Sequence, residues 1–89
     1  MARMNLNVVE QAELAAQSGA PDALFELGLL YSTGRDVEAD LVAAHKWFNL
    51  AALRGNQAAL EYRKELANEM SQYDVAEAQR HAREWLTKH

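Results

Sequence analysis

The chain has 89 residues, 49% of them hydrophobic, with no cysteine and a formal net charge of −4. That size suits one small domain, and the hydrophobic share excludes a disordered chain. The negative charge gives no electrostatic reason to hold a phosphate backbone, so no nucleic acid partner is expected. Without cysteine there is no disulfide framework, thiolate zinc site or cysteine nucleophile.

Residues 1–7 lack the continuous apolar run of a signal peptide, and apolar runs elsewhere fall far short of a membrane span. No membrane association is expected, and the cytoplasm is the default compartment. No segment alternates apolar and polar residues over a strand length, so the chain reads as all-α.

The first helix is predicted over about 5–18, with Val8, Val9, Ala12, Ala15 and Ala16 on one side. Gly19 closes it in a left-handed conformation, and Pro21 suits the first turn of the next helix. That second helix covers about 21–33 and buries Leu24, Leu27, Gly28 and Tyr31. A mid-helix glycine costs about 1 kcal/mol relative to alanine, so Gly28 signals a close helix crossing. In the charged loop after Gly34, Val37 is the expected anchor to the core.

Asp40 is the N-cap of a third helix over about 41–54. This helix is apolar nearly all round, leaving only a side with His45, Lys46 and Asn49 polar, so it is the central element. A fourth helix, about 57–72, carries the stripe Ala59, Tyr62, Leu66 and Met70, interrupted by Arg63. Ser71 followed by Asp74 opens a fifth helix, to about 86, which buries Val75, Ala78, Ala82, Trp85 and Leu86. Five helices on short connections make an antiparallel array of helical hairpins.

Parts of the sequence repeat. Leu14-Ala15-Ala16 and Gly19 return at an offset of 36 as Leu50-Ala51-Ala52 and Gly55, and Ala23-Leu24 return as Ala59-Leu60. A period of this length marks stacked helical units. Residues 20–56 resemble the Sel-one-like repeat, a relative of the tetratricopeptide repeat, in three ordered blocks. Ala23 to Gly34 is similar to A-x-(Y/F)-x-L-G-x-x-Y-x-x-G, and Gly34 to Asp40 to G-x-G-V-x-x-D. Ala44 to Phe48 with Ala51 to Gly55 is similar to A-x-x-W-(Y/F) followed by A-A-x-x-G. Asp36 departs from the second glycine of the loop, but Asp tolerates a left-handed backbone. Residues 57–88 read as a degenerate repeat or capping hairpin: Arg63 and Lys64 replace Leu27 and Gly28, while Ala82 to Trp85 retains A-x-x-W. The first helix reads as the second half of a lost repeat, and the whole chain as one domain.

The resemblance implies a scaffold for protein–protein contacts, with a protein or peptide as partner. In such stacks the first helix of each pair lines the concave side. There Asp22, Phe25, Leu29 and Ser32 form one face, and Glu61 and Glu65 lie on the equivalent face of the fourth helix. An apolar end at Phe25 and Leu29 and an acidic end at Glu61 and Glu65 suit an amphipathic peptide with a basic flank. The competing reading is that Phe25 and Leu29 pack on the first helix. A structural homo-oligomer or subunit is the alternative role. Few repeats and many aromatics leave Trp85 either on a capping helix with the polar face Glu77, Arg80, Arg83 and Glu84, or at a homodimer contact.

No residues point to catalysis, a metal or a cofactor, and the chain is read as a non-enzyme. Ser18, Ser32 and Ser71 sit at helix ends, where capping explains them. His45, His81 and His89 lack ligand spacing. Asp36, Glu38 and Asp40 alternate like a calcium loop, but Leu41 and Trp47 stand where it needs glycine and glutamate. The pairs Arg63–Lys64 and Arg80–Arg83 read as solvated faces.

Overall fold

The computed structural model describes residues 7–89, which contain five α-helices and no strand. They are α1 (Val8–Ala16), α2 (Pro21–Thr33), α3 (Leu41–Leu53), α4 (Gln57–Ala67) and α5 (Gln72–Lys88). The expected all-α array of helical hairpins is present.

Side-chain caps set where the helices start. Asn7 Oδ1 accepts the Glu10 N–H at 2.8 Å, and Glu10 Oε1 accepts the Asn7 N–H at 3.1 Å. This reciprocal pair makes Asn7 the cap, so it precedes α1 instead of lying inside it as expected; residues 5 and 6 of the expected helix lie outside the described residues. Asp40, Asn56 and Ser71 cap α3, α4 and α5 through the N–H groups of Ala43, Ala59 and Asp74, each at 3.0 Å. Because Ser71 is a cap, Gln72 belongs to α5, not to α4. The α4 helix stops at Ala67, where Glu69 N–H to Leu66 O (3.0 Å) and Met70 N–H to Ala67 O (3.2 Å) tighten the chain into a turn.

Between α2 and α3 the chain reverses through Gly34 at φ +75° and Asp36 at φ +61°, so Asp36 does adopt the left-handed backbone. Val37 packs against the core. The α1 face is narrower than expected: Val9, Ala12 and Ala16 are buried, whereas Val8 and Ala15 are exposed.

The core lies around α3, which packs on α2, α4 and α5. Leu24, Leu27, Phe48 and Leu50 are its largest fully buried side chains. The closest crossing is at Gly28: a Cβ there would run into the Phe48 ring of α3. The missing side chain of α2 is the slot that the ring occupies.

The second hairpin lacks such a slot. Lys64 stands 36 positions after Gly28, and α4 and α5 each pack on α3 more extensively than on each other. Leu86, at the offset of 38 that relates Trp47 to Trp85, is the counterpart of Phe48. It is 39% exposed, contrary to the buried position expected for it.

Candidate protein-docking groove

Three rings join α2, α3 and α4. Phe25 lies 5.7 Å from Phe48 and 5.2 Å edge-on from Tyr62, and Phe48 lies 5.4 Å from Tyr62 between ring centroids. Such tilted and edge-to-face pairs match positive ring edges to negative faces. Beside them runs an open groove of about 230 Å³. Leu41, Phe48, Tyr62 and Leu66 supply its apolar part, with Ser32, Glu65 and Glu69 as its polar residues. Its volume is below the ~300–1,000 Å³ of small-molecule sites, so it fits an anchoring side chain better than a cofactor.

The structure distributes the six residues singled out from the sequence. Ser32 and Glu65 line this groove together. Phe25 packs on the rings of Phe48 in α3 and Tyr62 in α4. Leu29 turns into a separate hollow with Glu26, Leu30, Thr33 and Arg35, so it is not the apolar end of a shared groove with Glu65. Asp22 is exposed and accepts a hydrogen bond from Asn56 Nδ2 at 3.3 Å, and Glu61 is exposed on α4. Sequence reasoning missed Leu41, Phe48, Tyr62, Leu66 and Glu69 as groove residues. The spacing Glu61, Glu65, Glu69 was the available signal on the helix expected over about 57–72, although α4 ends at Ala67 and Glu69 lies in the turn that follows.

Residues 21–56 match the family model of the Sel1 repeat, and they comprise α2, its loop and α3. This segment is a Sel1 repeat. Comparisons with curated proteins and with solved structures give no match. Sel1 repeats are non-catalytic helical-hairpin modules that generally mediate protein–protein contacts. Among the described residues no cluster of three metal-ligating side chains occurs, and no helix is long and apolar enough to cross a membrane.

The Sel1 hairpin meets α4 across a polar seam. Arg63 Nη1 donates to Asn49 Oδ1 at 2.6 Å, which explains why an arginine is tolerated at that position in the stripe. His45, on the polar side of α3, is only 3% exposed, and its Nδ1 has no hydrogen-bond partner among the described residues. Burial, and then the Arg63 charge, hold the imidazole below its ordinary pKa of 6.5. The folded chain thus binds this proton less readily than the unfolded one. Stability from neutral His45 is complete above 6.5 and is lost as pH falls below it toward the lowered folded value. The urea midpoint should therefore drop on acidification through pH ~6.5, and His45→Leu should flatten that part of the profile. An identical profile in the variant would exclude His45 as the cause.

On the opposite side of α3, the Sel1 repeat meets α5 through Trp47 and Trp85, whose rings lie edge to face at 6.2 Å. His89 stacks on Trp85 at 4.0 Å, and the Arg54 guanidinium lies 6.0 Å from the same ring. Trp85 is thus half-covered by the chain's own groups. On the polar face of α5, Arg80 pairs with Glu77 at 3.0 Å and Glu84 at 2.8 Å.

Proposed function

We propose that the chain is a non-catalytic interaction module, a small adaptor that docks a short amphipathic protein segment with a basic flank along α2 and α4. The observation that carries this reading is the groove itself, an aromatic and aliphatic floor beside the acidic row Glu65 and Glu69. A large apolar side chain of the partner enters over Phe48 and Tyr62 while its Lys or Arg residues face the carboxylates. Ser32 supplies a polar contact at the groove, Glu61 extends the acidic row along α4, and Asp22 and Phe25 border it on α2. On this reading residues 57–88 are a degenerate second repeat that supplies one wall and caps the first.

Panning a random peptide library against the chain should enrich a large apolar residue followed by Lys or Arg. Enrichment of acidic sequences alone, or of no consensus, counts against the groove. The double reversal Glu65→Lys with Glu69→Lys should weaken the enriched peptide by about tenfold or more. Both positions are exposed, so stability should shift by no more than ~0.5 kcal/mol. Unchanged affinity in the folded double variant would place the peptide elsewhere.

A further inference from the structure

The seam between α3 and α5 carries a second groove, of about 440 Å³, lined by Lys46, His81, Glu84, Trp85, Lys88 and His89. Its charge is opposite in sign to that of the α2–α4 groove. Glu84, its one side-chain carboxylate, is held by Arg80 at 2.8 Å. Among the described residues, neither Lys46 nor Lys88 forms an ion pair; the pairs here belong to Arg80 and His81. Lys46 instead lies 4.1 Å over the Trp47 ring. Burial lowers its pKa against the opposing pull of the Glu13 and Glu84 carboxylates, neither of which lies within ion-pair distance of it.

We infer that this groove is a second docking surface, whose occupant is an acidic protein segment. Lys46 on α3 and Lys88 on α5 receive carboxylates from two helices, and the half-buried Trp85 ring gives the segment an apolar contact. A long polyanion is disfavoured, since the whole chain carries −4 and the cations here are few. A short acidic peptide meets the same lysines with little of that repulsion. With one groove for a basic flank and another for an acidic one, the chain bridges two different segments.

The probe is a fluorescein-labelled, glutamate-rich peptide, titrated by anisotropy at low ionic strength. The intact chain should bind it, and Lys46→Glu with Lys88→Glu should weaken binding by about tenfold or more. Lys88→Glu alone, at an exposed position, should give a partial loss and covers the case in which the half-buried Lys46 is needed for folding. Glu65→Lys with Glu69→Lys should retain binding, which separates this groove from the one on α2 and α4. Absence of binding, equal binding by folded Lys88→Glu, or equally tight binding of an oligonucleotide of the same charge would each overturn the inference.

Discussion

Replacing Gly28 by alanine should destabilise the chain by about 2 kcal/mol, although alanine is the better helix former. Alanine regains ~1 kcal/mol of intrinsic helix preference. Against this, the new methyl meets the Phe48 ring, which is 1% exposed and flanked by the Phe25 and Tyr62 rings. Overpacking of a full core costs ~1–3 kcal/mol, and a ring with neighbours on both sides puts this site at the upper end. The diagnostic experiment is a cycle with Phe48→Leu, read from urea midpoints. With the ring gone, the alanine should be much less costly, giving a coupling of at least ~1 kcal/mol. Additive effects would mean that the helices do not cross at Gly28.

Phe48→Ala should be the most damaging single truncation, losing ~3–5 kcal/mol. Typical stabilities of ~0.05–0.15 kcal/mol per residue leave a chain this short only several kcal/mol in total. Loss of the far-UV helical signal at ambient temperature, or a steep fall in urea midpoint, is the expected result. The ring fills the Gly28 slot, touches Phe25 and Tyr62, and lines the groove. Phe48→Leu keeps most of the volume and should cost less than ~1.5 kcal/mol. It therefore tests the groove in a folded protein: peptide binding should weaken while the helices persist. A fully stable Phe48→Ala protein would contradict the burial on which both readings stand.

Gly28 was the most legible position in the sequence, because an unfavoured residue in mid-helix needs a packing reason, and α3 provides one. Asp40 and Ser71 were equally readable, since a polar residue before an apolar periodic stretch satisfies orphan N–H groups. Less legible was anything that depends on how two helices approach. Leu29 and Ser32 share a face of α2 by spacing, yet they line different hollows because α4 lies beside only one of them. Helical periodicity fixes the angle between two side chains on one rod and says nothing about the neighbour at that angle. His45 shows the same limit: spacing puts it on the polar side of α3, yet it is buried, with Arg63 of α4 close enough to act on its charge. Leu86 followed the apolar pattern of α5 and is still 39% exposed, since the pattern marks a side of the helix without showing what packs there.

The seating of three other helices on α3 also bears on how the molecule comes apart. Long solenoids can shed terminal units one at a time, since each unit touches only its neighbours. Here one rod serves as keystone for the units on both sides, so removing it leaves neither hairpin a surface to rest on. Such a short array should melt in a single step, and damage to α3 should be felt in α2, α4 and α5 together.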